Sequence, residues 1–96
     1  MTQTVEEPVD NLDKKPTIPE VLPIAKAWYA KPGNGVGGMF HIILEDGNNE
    51  KHWAEKALEQ AQASGDADAI QLAKLLVAMS PTQRLKLSRM NLYPRN

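Results

Sequence analysis

The second half of the chain is divided by helix start and stop signals, and these constrain the fold more than any other feature. Apolar residues recur at three- and four-residue spacing on both sides of Gly65, which is the period of an amphipathic helix. Gly65 ends the first of these segments, and Asp66 has a side chain that suits a helix N-cap. Ser80 and Pro81 suit the N-cap and N1 positions of a further helix. The predicted helices run from a cap at Asn48 or Asn49 to Ser64, from Ala67 to Met79, and from Pro81 to about Asn91.

The first helix has an ambiguous start. Thr17 and Glu20 have the spacing of a capping box, whereas Pro19 and Pro23 both suit a first turn and neither suits a helix interior. We favour a helix over about residues 23–31, which the following Pro-Gly pair ends. Residues 1–17 contain four acids, two lysines, two prolines and few large apolar side chains. We therefore expect 1–17 to be a disordered leader and 18–93 to form a single helical domain.

The segment from Met39 to Leu44 is compatible with two structures. Its β-branched Ile42 and Ile43 suit a short buried strand, and the same apolar run suits two turns of helix closing at Gly47. We favour the helix, because a lone strand has nothing to pair with. The predicted fold class is all-α: a compact bundle of four or five short helices with a Gly-rich loop and a flexible N-terminal leader.

Composition excludes several kinds of site and setting. The chain has no cysteine, so it has neither a disulfide framework nor a thiolate metal site. No apolar run approaches the roughly 18 residues of a membrane span, and the first ten residues are acidic where a signal peptide is basic. We expect a cytoplasmic protein without a membrane partner.

Charge is balanced in total but uneven along the chain. Residues 45–68 contain seven acids and two bases, a formal charge of −5, whereas residues 69–96 contain five bases and no acid. The two segments either attract each other across a packed helix pair or face partners of opposite sign, and we favour the first alternative. Five bases are few for nucleic acid, and Arg84, Lys86 and Arg89 do not share one helix face well.

A run of four glycines in six residues, 33–38, precedes the Met39 segment. Such a run has a high conformational entropy cost, so it is a close crossing point of two helices, an anion or nucleotide-like cradle, or a flexible protein-binding loop. Free N–H groups at the start of a following helix suit an anion. The run also matches the glycine spacing of dinucleotide-binding folds, but no strand precedes it and no βαβ unit follows, so we exclude that site.

His41 and Glu45 are four residues apart, which on a helix places both on one face, with Asp46 and Asn48 just beyond. An imidazole held by a carboxylate is the arrangement of a general base, and it is also an ordinary surface pair. No cysteine is present and the serines suit caps or surface positions, so a nucleophile is missing. The pattern also lacks the two-histidine helix signature of zinc enzymes. We expect neither a metal nor a cofactor.

Three sequence strings carry a resemblance to a known family. PGNGVGG at 32–38, HIILEDGN at 41–48 and MSPTQRLKL at 79–87 resemble a family of small uncharacterised proteins of tailed bacteriophages and prophages. The resemblance covers about residues 19–88. It implies a phage gene and the cytoplasm of a bacterial host, with an accessory role such as disarming a host defence or modulating a host enzyme.

We therefore expect a non-enzymatic, phage-type accessory protein. Its partner is predicted to be a host bacterial protein or a small anionic ligand, and the sequence leaves the oligomeric state open. Two alternatives are a small hydrolase-like enzyme with His41 as general base and a nucleic-acid-binding protein that uses the basic last helix. The residues predicted to bind the partner are Asn34, Gly35, Gly37, Gly38, His41, Glu45, Asp46 and Asn48.

Overall fold

The computed structural model describes residues 15–34 and 38–92, and within them the regular structure is entirely helical. The predicted all-α fold is confirmed. Most of the predicted leader lies outside the described residues, as do Gly35 and Gly37 of the predicted binding loop. The elements are α1 (Ile18–Ala30), a π-helical turn (His41–Glu45), α2 (Lys51–Ser64), α3 (Ala67–Ala78) and α4 (Pro81–Ser88).

Helix α1 begins five residues before the favoured start, at the capping-box alternative. The carboxylate of Glu20 accepts hydrogen bonds from the backbone N–H of Thr17 at 2.8 Å and from its hydroxyl at 3.2 Å. Pro23 lies inside the helix, so the prediction that it is unsuited to the interior is wrong. A proline there removes one backbone hydrogen bond. This loss is offset by the apolar face that α1 buries, formed by Val21, Ala25, Trp28 and Tyr29.

The signals at Gly65, Asp66 and Ser80 act as predicted. Gly65 ends α2 with φ +75°, the left-handed conformation that glycine adopts without strain. The Asp66 carboxylate accepts a hydrogen bond from the N–H of Asp68 at 3.0 Å, and the Ser80 hydroxyl accepts one from the N–H of Gln83 at 3.2 Å. At the starts of α3 and α4, the side chain of the N-cap residue thus accepts a hydrogen bond from a backbone N–H two or three residues further along the chain.

Two predicted boundaries are wrong. Helix α2 begins at Lys51, with Glu50 rather than Asn48 or Asn49 at its N-cap position. Helix α4 ends at Ser88, three residues before the predicted end. The N–H groups of Arg89 and Met90 bond to the carbonyl oxygens of Lys86 and Leu87, three residues back, which tightens and closes the last turn.

The core lies where α3 packs against α2 and α1. Helix α2 buries only alanines, and α3 buries two alanines together with Leu72 and Leu76, so the pair packs through small side chains. On the other side, the Trp28 and Phe40 rings meet edge to face with their centroids 4.8 Å apart. Phe40 is fully buried and anchors the chain directly before the π-helical turn.

The opposite charges of the two segments form no direct ion pairs within the described part of the chain. No ion pair there joins segment 45–68 to residues 69–92, so attraction between the two segments across a helix pair stays a prediction. These ion pairs are absent because α2 and α3 pack through their apolar faces and leave their charged side chains outside. Lys31 at the end of α1 makes the ion pair with Asp68.

Candidate functional site

The π-helical turn is the structure that the Met39 to Leu44 segment adopts. The N–H of Asp46 bonds to the carbonyl oxygen of His41, five residues back, at 3.0 Å, which is the hydrogen-bond spacing of a π-helix. Ile43 and Leu44 are buried and hold the turn against the core. The helical alternative is confirmed, although it is one wide turn rather than two α-helical turns.

Gly47 brings the chain out of this turn with φ +77°. A Cβ atom added here would lie 3.5 Å from the hydroxyl oxygen of Ser88 in α4. The end of the π-helical turn therefore lies close to α4. The left-handed backbone at Gly47 changes the direction of the chain beside α4, so that it continues toward α2.

The turn places His41 between two carboxylates, and we call His41, Glu45 and Asp46 the His41 cluster. Nδ1 of His41 lies 2.6 Å from Oε1 of Glu45, and Nε2 lies 3.4 Å from Oδ1 of Asp46. The side chains of His41 and Asp46 are 39% and 52% exposed, whereas that of Glu45 is 11% exposed. The predicted proximity of these three residues is confirmed, and both ring nitrogens face a negative charge.

The electrostatics of the His41 cluster favour the imidazolium form. The hydrogen bond to Glu45 is the main cause that raises the pKa of His41 above its ordinary value of 6.5. Desolvation acts in the opposite direction, and the charges of Asp46 and Glu45 raise the pKa further. With His41 protonated, two carboxylates and one imidazolium leave the cluster with a formal charge of −1.

Tyr29 joins the cluster to α1, and sequence reasoning missed it. Its hydroxyl donates a hydrogen bond to Oε2 of Glu45 at 3.0 Å, across 16 residues of sequence. Tyr29 is buried on the same helix face as Trp28. A buried tyrosine hydroxyl usually finds a hydrogen-bond partner, so its apolar position in α1 was the available signal, but nothing in the sequence identified the partner.

A pocket of about 200 Å³ lies beside the cluster, between the π-helical turn, α1 and the end of α4. Glu45 belongs to both the cluster and the pocket wall, whereas His41 does not line the pocket. Met90 is also part of the wall and is 41% exposed, unlike the other large apolar side chains of the described residues. The pocket is lined in addition by Tyr29, Leu44, Ser88, Asn91 and Leu92.

The chemistry of this arrangement is that of an ion-pair site. His41 acts as a general base only while neutral, and its raised pKa reduces the neutral fraction near pH 7. The hydroxyl of Ser88 in the pocket wall donates to the carbonyl oxygen of Leu85 at 2.6 Å, so the local helix engages it. Within residues 15–34 and 38–92, no hydrogen bond joins a serine or threonine hydroxyl to His41.

The other predicted binding residues have separate positions. The side-chain amide of Asn34 donates to the carbonyl oxygen of Trp28 at 2.9 Å and so closes the end of α1. The carbonyl oxygen of Gly38 accepts a hydrogen bond from the N–H of His41 at 3.0 Å. Asn48 is exposed, and its N–H bonds to the carbonyl oxygen of Ile42 at 3.1 Å. Gly35 and Gly37 lie outside the described residues.

The nucleic-acid alternative requires the basic residues of α4 to lie on its surface, and the first of them, Arg84, does not. Arg84 is buried, with 1% of its surface exposed, and its guanidinium donates only to backbone carbonyl oxygens. It therefore belongs to the core and does not join Lys86 and Arg89 on a basic surface. Over the described ranges there is no group of three or more side chains able to hold a metal ion. No described helix is both long and apolar enough to cross a bilayer.

No family model, curated protein or solved structure matches the chain.

Proposed function

We propose that this protein is a non-enzymatic binding module that docks a basic surface of a host bacterial protein against the His41 cluster. The observation that carries the proposal is the contact of both His41 ring nitrogens with carboxylates, at 2.6 and 3.4 Å. This arrangement keeps the cluster anionic even when His41 is protonated. An anionic surface attracts and orients a cationic one over several ångströms.

The charge that follows the cluster in sequence supports the same polarity. Glu50, Glu55 and Glu59 are all exposed on or beside α2, and Lys51 and Lys56 offset only part of their charge. Oε1 of Glu50 lies 3.9 Å from Nδ1 of His52, whereas no ion pair among the described residues uses Glu55 or Glu59, so these two negative charges face solvent. Exposed acids of this kind favour a basic partner over a small anion.

The host setting depends on the resemblance to phage and prophage proteins at residues 32–38, 41–48 and 79–87. In that setting, we propose that the protein acts by occupying a surface of a host protein. In this proposal the mechanism is occlusion: the cluster covers a basic region of the partner and blocks whatever normally binds there.

The test is capture of partners from bacterial lysate by the full chain, compared with two variants that make the net charge more positive, by +2 in the cluster and by +1 away from it. Asp46→Lys reverses a charge in the cluster, and Gln62→Lys adds a positive charge at an exposed position of α2. We expect wild type and Gln62→Lys to capture the same basic protein, and Asp46→Lys to lose it. Raising the salt concentration weakens a contact between exposed charges, so capture should also decrease with salt.

The proposal fails if Asp46→Lys captures the same proteins as wild type. It also fails if the captured partner binds equally well at low and high salt, because the contact is then not electrostatic. A captured partner whose interacting surface is acidic has the wrong polarity and equally contradicts the proposal.

A further inference from the structure

The two ring nitrogens of His41 face their carboxylates at different distances. Nδ1 lies 2.6 Å from Oε1 of Glu45, the length of a strong charge-assisted hydrogen bond, whereas Nε2 lies 3.4 Å from Oδ1 of Asp46. Without a proton on Nδ1, two lone pairs face each other at 2.6 Å, which is unfavourable. Nδ1 therefore keeps its proton in both protonation states of the ring, and Nε2 is the nitrogen that gains and loses one.

Asp46 is the carboxylate that responds to the proton on Nε2. Its side chain is 52% exposed, so a partner reaches it directly from solvent. In the described part of the chain, no lysine or arginine forms an ion pair with Asp46. With Nε2 protonated, the imidazolium pairs with Asp46 and offsets its charge. Neutral Nε2 presents a lone pair instead, so the attraction disappears and the Asp46 carboxylate is free to accept an external cation.

The charges that act on the His41 ring are those of Glu45 and Asp46, both from its own turn. From α1 the neutral hydroxyl of Tyr29 reaches Glu45, and from α4 that of Ser88 approaches the end of the turn. On α2, His52 faces Glu50. The basic side chains of the two helices packed against the turn form no ion pair with Asp46: Lys51, Arg84, Lys86 and Arg89. The two carboxylates of the cluster therefore govern the proton on Nε2.

We propose that the proton on Nε2 of His41 controls how tightly Asp46 holds the basic partner, so that docking strengthens when this proton leaves. The inference rests on the proposed function, because the docked basic surface supplies the cation that competes with the imidazolium. Two carboxylates and one imidazolium give the cluster a formal charge of −1, and the neutral ring leaves −2. Loss of the proton thus releases Asp46 and also doubles the charge that attracts the partner.

The first test follows the two ring nitrogens of His41 by ¹⁵N NMR in the full chain without a partner. The hydrogen bond to Glu45 raises the pKa of His41 above its ordinary value of 6.5, so the titration should lie above pH 6.5. We expect the Nε2 signal to move to that of a nitrogen without a proton, while the Nδ1 signal remains that of an N–H group. Asp46→Asn removes one carboxylate and should lower the pKa of His41.

The second test measures binding of the peptide acetyl-Gly-Lys-Lys-Lys-Gly-amide to the full chain. Lysine keeps its charge between about pH 5.5 and 8.5, so the peptide itself does not titrate. One additional unit charge about 4 Å away in water changes an affinity by about fivefold, and we expect wild type to bind about that much more tightly at the higher pH. By linkage, saturating peptide should increase the acid dissociation constant of His41 by the same factor.

Three variants assign the effect to its residues. His41→Gln is neutral at both pH values and should bind the peptide with little pH dependence. Asp46→Asn has no carboxylate for Nε2 to control, so it should bind more weakly and lose most of the pH dependence. His52→Gln removes the other histidine, which lies outside the cluster, and should retain the fivefold change. Melting temperatures of all variants establish that they are folded.

Four results overturn the inference: loss of the proton from Nδ1, no binding of the peptide at either pH, equal affinity of wild type at both, or a pH dependence retained by folded His41→Gln. Failure of the proposed function is a distinct result. If Asp46→Lys retains partner capture while the peptide binds with the expected pH dependence, control by His41 is correct and the docking proposal is wrong.

Discussion

The guanidinium of Arg84 donates a hydrogen bond of 2.8 Å to the carbonyl oxygen of Leu76, which joins α4 to the end of α3. Its Nη1 also bonds to the carbonyl oxygen of Met79, and its Nε donates to that of Asn49 at 3.0 Å. The last carbonyl groups of a helix have no partners within the helix and carry partial negative charge. Arg84 donates to such carbonyl groups from the core, and its burial lowers the pKa of its guanidinium below the ordinary value. One side chain thus holds together α3, α4 and the segment before α2.

We expect Arg84→Ala to destabilise the fold by about 3 kcal/mol, because it leaves buried carbonyl groups unsatisfied and creates a cavity. Arg84→Lys keeps the charge but cannot reach all the carbonyl groups, and should lose about half as much. Urea unfolding of both variants measures these differences. Arg89→Ala, at an exposed position, is the control and should change the free energy of unfolding by less than about 0.5 kcal/mol. Equal stability of Arg84→Ala and Arg89→Ala would contradict the core role of Arg84.

The His41 cluster predicts a pH dependence of stability with a definite sign. The folded-state pKa of His41 is raised above 6.5, so the imidazolium contributes stability that is fully present below about pH 6.5 and is lost as pH rises through the folded-state value. We expect the melting temperature of wild type to exceed that of His41→Gln more at about pH 5.5 than at about pH 8.5. In the background of Glu45→Gln the same comparison should show a much smaller pH dependence. A difference that grows with pH would contradict the assignment.

Substitutions of Gly47 and Gly65 by alanine can be compared as a matched pair. Both have left-handed backbone, with φ +77° and +75°. An added Cβ atom meets nothing within 4 Å at Gly65 and only ordinary contacts at Gly47. The cost of Gly47→Ala and Gly65→Ala is therefore backbone strain alone, about 1–2 kcal/mol in each case. Thermal unfolding measures it. A much larger cost at Gly47 would mean that the passage of the chain past α4 is tighter than the structure shows.

Because α2 and α3 pack through small side chains, we expect the free energy of unfolding to be sensitive to side-chain volume at their contact. Ala61 is fully buried on α2, whereas Ala63 is exposed on the same helix. We expect Ala61→Leu to cost about 1–3 kcal/mol because the added atoms force the helices apart. Ala63→Leu, with the same chemical change, should be nearly neutral. Denaturant unfolding distinguishes the two, and equal effects would show that the helix pair is not closely packed.

The predicted binding residues show which contacts can be inferred from the spacing of residues along the chain. The contact of His41 with Glu45 and Asp46 was predictable, because residues four or five apart in a helical turn share a side of it. The hydrogen bond from Asn34 to Trp28 was not, since a loop asparagine has no periodicity that indicates its partner. The contact of Tyr29 with Glu45 spans 16 residues and depends on how α1 lies against the π-helical turn.

The amino-acid sequence by itself determined the helices and most of their ends. Gly65, Asp66 and Ser80 act through hydrogen bonds or dihedral preferences within three or four residues, and such short-range energies are readable from spacing. The tertiary structure alone decided that Pro23 stays inside α1, that Arg84 is buried, and that Glu45 meets both His41 and a pocket. These outcomes depend on groups up to 35 residues apart, as in the bond from Arg84 to Asn49. They arise only when helix packing removes water, because a polar group such as the Arg84 guanidinium then needs hydrogen-bond partners within the protein.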